Sequence, residues 1–312
     1  MSDLQEKIKQ AEQALRLAAQ MSEYYYHQPL IIAYSGGKDS DVMLDIAKRC
    51  LNADQFEVMN SHTTLDAPET VYHIRKVFKA CNGAGIKTTV RMPEYKGQPT
   101  SMWKLIEQKG TPPTRIMRYC CEILKETTTP NRMVAVGVRE DESVGRRGRD
   151  FFAILLLRKS DIEFRTLQHT YAMFQLDKMG KEDAYECKMI EACKKNKDTI
   201  CNPIYKFTDK DIWEYIREFG VAVNPLYEKG YKRVGCIGCP LGGEKNMRKE
   251  LAEYPKYRKN YIKAFDRMLQ TRKAKGLKNM GWDSGEDVMW WWLGENPKQI
   301  RIDDILQGDD ND

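Results

Sequence analysis

The sequence has little that would place the protein in a membrane or outside the cell. Its longest uninterrupted apolar run, Phe151–Leu157, is seven residues, whereas a membrane-spanning helix needs about 20. The N-terminal segment MSDLQEKIKQ lacks the apolar core of a secretory signal. The four histidines show no metal-ligand spacing, and no internal repeat is visible. We therefore expect a cytoplasmic protein with no membrane partner.

The composition is that of a folded protein with an unusual number of thiols. The 312 residues are 41% hydrophobic and 31% charged, which is typical of one large or two modest globular domains. Nine cysteines are present. In a chain that is not exported, they indicate free thiols, metal ligands or catalytic groups rather than disulfides.

Helix and strand patterns alternate over the first two thirds of the chain. This alternation predicts an α/β fold with a parallel sheet, followed by a mainly helical C-terminal part from residue 209. The predicted domains are an N-terminal helix (1–28), a nucleotide-binding α/β domain (29–208) and a helical region (209–312). The predicted strands are 29–34, 56–60, 86–91, 133–138 and 151–157, and the predicted helices include 2–26, 42–50, 211–219 and 254–274.

A glycine turn lies directly between the first strand and the next helix. It reads Ser35-Gly36-Gly37-Lys38-Asp39-Ser40. Glycines let the backbone approach a ligand closely, the helix N-terminus stabilises an anion, and Lys38 adds a positive charge. The spacing differs from that of the GxxxxGK[ST] phosphate loop. The sequence predicts a phosphate site here, the alternative being a turn in which Ser40 or Asp39 only caps the helix.

Five motifs, in order, resemble one family. SGGKDS after a strand is the PP-loop of the ATP pyrophosphatases, and the downstream motifs resemble the phosphoadenosine phosphosulfate (PAPS) reductase branch. The four further motifs are TTLDAPET (63–70), GTPPTRIMRYCCEILK (110–125), GVREDES (137–143), and NPI with FTD and DIW (202–213). In the family's DTGxxFPET element, the PET is retained here and the DTG is altered.

The resemblance implies a role for each matching residue. Residues 35–40 would bind the phosphates of ATP or of an adenylyl nucleotide such as PAPS or its 3′-dephospho form (APS), together with Mg²⁺. Lys38, Asp39 and Arg139 would be catalytic, and Glu142 would lie with Arg139 at the mouth of the site. An arginine just past a buried strand is well placed for this. The alternative is a structural ion pair between Arg139 and Glu142.

Four cysteines are paired at short spacing, as Cys120-Cys121 and Cys236-Ile-Gly-Cys239. Four thiolates are the ligand set of a [4Fe-4S] cluster, and members of the family that carry a cluster have the same two pairs. Adjacent cysteines are unusual in structural zinc sites, which favours the cluster over zinc. Two unrelated pairs of reduced thiols are the alternative. Cys50, Cys81, Cys187 and Cys193 are predicted to be small core residues.

Departures from the family pattern bear on the reaction. A PAPS reductase needs a nucleophilic cysteine near its C-terminus, and this chain has none after Cys239, so Cys187, Cys193 or Cys201 would have to substitute. The intact SGGKDS loop favours cleavage of ATP itself. Both points favour the subgroup resembling DNA phosphorothioation protein C, in which sulfur is incorporated into nucleic acid and a cysteine desulfurase is the expected partner. The alternatives are a thioredoxin-dependent APS or PAPS reductase and a non-catalytic nucleotide- and nucleic-acid-binding regulator.

The positive charge is concentrated beyond the second cysteine pair. Residues 229–279 contain 15 Lys and Arg against 4 Asp and Glu, with three tyrosines interleaved at 254, 257 and 261. This stretch is predicted to bind a nucleic acid, the alternative being a solvated helical face. Residues 145–149 form a basic turn, which is either a phosphate clamp or a solvated loop. For Trp290–Trp292 we expect packing of the last helix rather than base stacking.

Overall fold

The computed structural model describes residues 3–125, 132–142, 190–192, 199–277 and 281–295. The predicted strand 151–157, the basic turn 145–149 and two cysteines, Cys187 and Cys193, lie outside the described residues. These features stay predictions.

The chain divides into two compact units that alternate along the sequence. The first comprises Met1–Ser61, Pro68–Arg91 and Thr128–Val234, and the second comprises His62–Ala67, Met92–Thr127 and Gly235–Asp312. The predicted domain limits at residues 28/29 and 208/209 stay a prediction.

The strands of the first unit form one sheet, and those described are β1 (Leu30–Ala33), β2 (Phe56–Ser61), β3 (Thr88–Arg91), β6 (Met133–Ala135), β7 (Ile190–Ala192) and β8 (Thr199–Cys201). Their order across the sheet is β3-β2-β1-β6-β8-β7. Five of these strands are parallel, and β7 pairs antiparallel with β8. The α/β prediction is therefore confirmed. The described helices of this unit are α1 (Asp3–Tyr26), α2 (Lys38–Cys50), α3 (Pro68–Gly83) and α5 (Asp209–Phe219).

Strand β1 lies at the centre of this sheet because its residues are apolar on both faces. Leu30, Ile31 and Ile32 are fully buried, as expected of a strand covered on both sides. On one side β1 pairs with β2, and on the other it pairs with β6. The chain leaves β1 toward one edge of the sheet and later returns on its other side. In open α/β sheets, ligands bind at the carboxyl end of strands where the order reverses in this way.

The fourth predicted strand, 133–138, is shorter than expected. Strand β6 ends at Ala135, whereas the apolar pattern extends to residue 138. Beyond Val136 the chain turns toward the start of α2, where a Cβ at Gly137 would lie 3.4 Å from the Asp39 carbonyl carbon. The segment after β6 therefore passes close to the backbone of the first turn of α2.

The second unit is mainly helical, which confirms the predicted helical C-terminal part. Its helices are α4 (Met102–Lys109), α6 (Glu244–Glu253), α7 (Pro255–Ala274) and α8 (Gly285–Trp292), and a short antiparallel pair joins β4 (Glu94–Tyr95) to β5 (Gln98–Pro99). Helix α7 buries Tyr261, Phe265 and Met268, which recur at helical spacing. Trp292 packs on Tyr261 and Phe265, and its indole N–H donates to the Pro113 carbonyl. The expected packing role of the tryptophan run is therefore seen for Trp292.

Among the described residues, no helix combines the length and the apolar composition needed to span a membrane.

A buried polar network joins three elements of the first unit. The Tyr34 hydroxyl, just after β1, donates to Asp41 Oδ1 on α2. His73 Nε2 on α3 lies 3.0 Å from the Tyr34 oxygen and 2.9 Å from Asp41 Oδ1. All three side chains are buried, and buried polar groups of this kind depend on one another for their hydrogen bonds. The network fixes the two ends of the Ser35–Ser40 loop relative to α3.

We expect Tyr34→Phe to lower the free energy of unfolding by about 1–3 kcal/mol, because the buried Asp41 and His73 side chains lose their contacts with the Tyr34 hydroxyl. Urea denaturation of both proteins measures the change. Tyr72→Phe is the matched control, since Tyr72 is 67% exposed and a surface substitution has an effect within about 0.5 kcal/mol. Equal stability losses for the two variants would contradict the assignment.

Candidate functional site

The Ser35–Ser40 loop connects the carboxyl end of β1 to the first turn of α2. Helix α2 begins at Lys38, and its N-cap residue, Gly37, provides no side-chain cap. The Ser40 hydroxyl donates to the Gly37 carbonyl at 2.7 Å, and the Ser35 hydroxyl donates to Ser40 Oγ at 3.2 Å. Since no side chain caps the helix from Gly37, the amides of its first turn are positioned to meet an anion.

Gly36 is required by its backbone and by its surroundings. Its φ is +74°, and an added Cβ would lie 2.9 Å from Ile74 Cγ1 and 3.2 Å from Thr70 Cγ2. The loop therefore packs directly on α3. A side chain would both strain the backbone and push the loop away from that helix.

We expect Gly36→Ala to destabilise the protein by about 1–3 kcal/mol, since alanine meets both the positive φ and the close contact with Ile74. Thermal unfolding measures the effect. Gly83→Ala serves as the control because nothing lies within 4 Å of its Cβ position, and alanine favours a helix over glycine. A Gly36 variant as stable as the Gly83 variant would be inconsistent with this packing.

Two residues distant in sequence, Asn224 and Tyr227, form hydrogen bonds with the loop. The Asn224 side chain is fully buried, and its amide nitrogen donates to the Gly36 carbonyl and to Thr70 Oγ1, both at 3.0 Å. The Tyr227 hydroxyl accepts from the Lys38 backbone N–H at 3.0 Å. Burial raises the pKa of Tyr227, so the ring stays neutral. The hydroxyl oxygen therefore occupies a position that a phosphate oxygen could take at the helix N-terminus.

Two buried cations converge at the loop, and carboxylates surround them. Lys38 and Arg139 are each 5% exposed. Lys38 Nζ lies 2.9 Å from Asp209 Oδ1 and 3.2 Å from Asp39 Oδ1. Arg139 Nε lies 2.7 Å from Asp39 Oδ1, and its Nη2 lies 3.3 Å from Asp209 Oδ1. Asp141 is more distant, with its Oδ2 3.9 Å from Arg139 Nη1.

The two cations lower the pKa of Asp209, whereas Arg139 is incompletely hydrogen-bonded by the described residues. Burial alone would raise the pKa of Asp209, but Lys38 and Arg139 outweigh it, and the pKa lies below its usual range. Arg139 Nη1 is buried and makes no hydrogen bond with any described residue, and the close ion pair from Nε to Asp39 lacks hydrogen-bond alignment. A buried guanidinium with unused donors is suited to a planar or tetrahedral oxyanion.

The structure thus brings together most of the residues predicted for the nucleotide site. Ser35, Gly36, Gly37, Lys38, Asp39 and Ser40 form the loop, and Arg139 faces it. Glu142 belongs to a short 3₁₀ turn, Glu140–Glu142, and its side chain lies outside the described part of the structure. Among the described side chains, Arg139 forms ion pairs with Asp39 and Asp209 and a longer one with Asp141. The roles of all these residues stay predictions.

Sequence reasoning missed Asn224 and Tyr227, and it treated Asp209 only as part of a motif. No local pattern marks these three residues, because each reaches the loop through the fold. A hint for Asp209 is its place just after Thr208, which caps α5 together with Asp211. Such a cap fixes the residue at which the helix begins, which here is Asp209.

The paired cysteines lie within the second unit. Cys121 begins a π-helical turn, Cys121–Lys125. Cys236 forms an isolated antiparallel bridge with Asp66, and Gly238 has a positive φ of 71°. A Cβ at Gly238 would lie 3.2 Å from Tyr261, so the Cys236–Cys239 turn depends on a glycine that packs against an aromatic ring.

The thiols of this group influence one another strongly. A hydrogen bond from Cys120, together with Arg118 and Lys125, lowers the pKa of Cys121 to about 5, although burial opposes the shift. The Lys125 ammonium has a raised pKa because of Cys236, Cys239 and Cys121. Burial raises the pKa of Cys236. The positive charge of Lys125 beside these thiols favours the thiolate form of Cys121, the form in which cysteine binds metal.

The four thiols fit an iron–sulfur cluster in number and chemistry. As the side chains stand, however, no three His, Cys, Asp or Glu in the described ranges form a group that would hold a metal ion. All four cysteines belong to the second unit. Binding of a cluster would require their thiols to turn toward a common centre. The predicted metal roles of Cys120, Cys121, Cys236 and Cys239 stay predictions.

The basic stretch forms α6 and α7, and only part of it faces solvent. Lys256, Lys259 and Lys263 are exposed at spacings of three and four residues, which places them on one face of α7. Tyr261 is 1% exposed, so it cannot stack on a base. Helical spacing with Phe265 directs Tyr261 into the core, and the prediction that the basic stretch binds a nucleic acid or another polyanion stays a prediction.

Comparison with known proteins identifies the family. The phosphoadenosine phosphosulfate reductase domain matches residues 29–241, and the chain therefore belongs to this family. This confirms the predicted class, a PAPS reductase-like enzyme.

The curated relatives are distant. Two uncharacterized proteins of Methanocaldococcus jannaschii are each 25% identical, covering 73% and 88% of this chain and 40% and 54% of their own lengths. The chain thus spans about half the length of these relatives. An adenosine 5′-phosphosulfate reductase of Anoxybacillus flavithermus is 24% identical over 72% of this chain and 79% of its own length.

Two solved structures show a low overall similarity to this chain. A PAPS reductase of Candida auris in a phosphate complex is 16% identical, covers 76% of this chain and 96% of its own, and has a TM-score of 0.44. A U34-tRNA thiolase of Methanococcus maripaludis with its [4Fe-4S] cluster is 13% identical, covers 88% of this chain and 82% of its own, and has a TM-score of 0.40. No residue role is taken from either likeness.

Proposed function

We propose that this chain binds ATP or an adenylyl nucleotide at the Ser35–Ser40 loop and that, with ATP, it cleaves the bond between the α and β phosphates, so that the adenylyl group passes to an acceptor and pyrophosphate leaves. The observation that carries the proposal is the pair of buried cations, Lys38 and Arg139, at the N-terminus of α2. None of the residues that the structure describes accepts a hydrogen bond from Arg139 Nη1. Oxyanions stabilise such donors, and donors fixed in advance stabilise the charge of a transition state.

Each group at the loop has a distinct role in this proposal. The amides of α2 and the Lys38 ammonium bind the phosphate oxygens, and Arg139 binds the oxygen that gains charge as pyrophosphate leaves. Asp39, whose carboxylate faces both cations, would hold Mg²⁺. The metal ion would supply further neutralisation of the leaving pyrophosphate.

We expect Lys38→Ala to reduce pyrophosphate release from ATP by about 100-fold or more, because one preorganised charge at the phosphates is lost. A coupled pyrophosphate assay on the purified protein measures the rate. Lys48→Ala is the matched control, since Lys48 is exposed on the same helix and lies near its other end. If wild-type protein released no pyrophosphate with any acceptor, or if Lys38→Ala matched the control, ATP cleavage at this loop would be excluded.

The second part of the proposal is sulfur transfer assisted by a [4Fe-4S] cluster. Its support is the ligand chemistry of Cys120, Cys121, Cys236 and Cys239 and the low pKa of Cys121. When bound, the cluster would hold sulfur or activate it for transfer. The thiolates would anchor it, and Lys125 would offset their negative charge. Zinc is the less favoured occupant.

We expect Cys236→Ser to lose iron after anaerobic reconstitution, because serine does not replace a soft thiolate ligand. Iron and sulfide content and visible absorbance are measured together. Cys50→Ser is the control, since Cys50 is a half-buried cysteine of α2 in the first unit. Iron content that is equal in the two variants, or zinc in place of iron in wild-type protein, would contradict the cluster.

A second candidate is a thioredoxin-dependent APS or PAPS reductase, favoured by the relative from Anoxybacillus flavithermus that bears that name. The two reactions have different products. Sulfite released from APS or PAPS in the presence of thioredoxin supports the reductase, and pyrophosphate released from ATP supports sulfur incorporation. The intact SGGKDS loop leads us to prefer the latter.

The acceptor proposed for the sulfur is a nucleic acid, as in the subgroup resembling DNA phosphorothioation protein C, and the proposed donor is a cysteine desulfurase. The support is the exposed lysine face of α7. Lys256, Lys259 and Lys263 would contact phosphates, so affinity for DNA or RNA should fall with rising salt. A lysine-to-glutamate triple variant that binds nucleic acid as tightly as the wild type would exclude this surface.

A further inference from the structure

Asp209 makes contacts that the proposed reaction does not require. It is the first residue of α5, and a single oxygen, Oδ1, lies 2.9 Å from Lys38 Nζ and 3.3 Å from Arg139 Nη2. This oxygen bridges the two buried cations as a phosphate oxygen would. The rest of the side chain faces solvent, with 58% of its surface exposed.

The charges at the loop do not favour a free anion. Within the described part of the chain, two cations, Lys38 and Arg139, face three carboxylates, those of Asp39, Asp141 and Asp209, an excess of one formal negative charge. A phosphate, a sulfate or an uncomplexed nucleotide entering this site would be repelled by the nearest carboxylates. A nucleotide that arrives with a divalent cation would instead turn the same carboxylates into favourable partners.

We propose that Asp209 is a specificity-determining residue that excludes metal-free anions from the loop and admits the magnesium complex of a nucleotide. This inference rests on the proposed function, and it adds the form in which the nucleotide is selected. Asp209 is suited to this role because its backbone is fixed by the Thr208–Asp211 capping box, while its half-exposed side chain can turn aside. Asp39 is part of the loop itself, and Asp141 is too distant to bridge the cations.

Tyr227 provides an independent comparison. Its hydroxyl accepts a hydrogen bond from the Lys38 backbone N–H but carries no charge. It therefore competes with any phosphate oxygen, whether or not a metal is bound. Removing this hydroxyl should affect both forms of the ligand alike, whereas removing the Asp209 charge should affect mainly the metal-free form.

The test compares binding of a non-hydrolysable ATP analogue in EDTA and in excess Mg²⁺ by calorimetry. We expect Asp209→Asn to tighten binding of the metal-free analogue about tenfold, the effect of about one unit of charge at a partly screened site. Binding of the magnesium complex should change less than about threefold or become weaker. Inorganic pyrophosphate in EDTA, a second probe, should follow the metal-free analogue.

Glu140→Gln is the matched charge control. Glu140 lies beside Arg139 in sequence, but its carboxylate pairs with Lys206 at 3.6 Å. It should bind both forms as the wild type does, and Tyr227→Phe should shift both forms together. Thermal unfolding confirms that each variant is folded before its affinity is compared.

The outcomes separate the inference from the function on which it rests. If wild-type protein binds the magnesium complex and Asp209→Asn leaves metal-free binding within twofold of wild type, the inference is wrong and the nucleotide site stands. It is also wrong if Asp209→Asn tightens both forms equally or if Glu140→Gln has the same effect. If wild-type protein binds neither form, the proposed function is wrong, and the inference is wrong with it.

Discussion

The balance between Lys38, Arg139 and the carboxylates around them constrains the whole first unit. Two cations that are each 5% exposed are tolerated only when they are paired. The partners come from the loop, from the segment after β6 and from the start of α5. The sheet order, the capped start of α5 and the glycines that let backbones approach all serve to bring these charges to one edge of the sheet.

The parts of this arrangement that lie close in sequence could be predicted, and the distant parts could not. Strand β1, the glycine turn and α2 are contiguous, and their apolar run and helical spacing are local signals. Asn224 and Tyr227 reach the loop across 188 and 189 residues, and nothing in their own neighbourhood marks them. Their contribution depends on where the sheet and its connections place the chain.

The cysteines show a different limit of sequence reasoning. Spacing predicted that four thiols form one set, and in the structure neighbouring thiols of that set raise the pKa values of Cys120 and Lys125. Spacing could not show that the charge of Lys125 acts on these thiols, nor that the glycine between Cys236 and Cys239 packs on Tyr261. A tyrosine that the sequence places in the basic stretch is thus part of the support for the cysteine turn.

The ion pairs at the loop also bear on how a site for polyanions avoids the wrong ligand. A cluster of unpaired lysine and arginine would attract phosphate, sulfate and nucleic acid alike, since attraction between charges is not selective by itself. Carboxylates that already occupy the cations make each of these ligands compete for its place, and repulsion then contributes to specificity as much as attraction does. The same carboxylates become an advantage only for a ligand that brings positive charge of its own. The acidic groups at this loop are therefore consistent with binding of a nucleotide together with a divalent cation, and they are poorly suited to retaining an isolated anion.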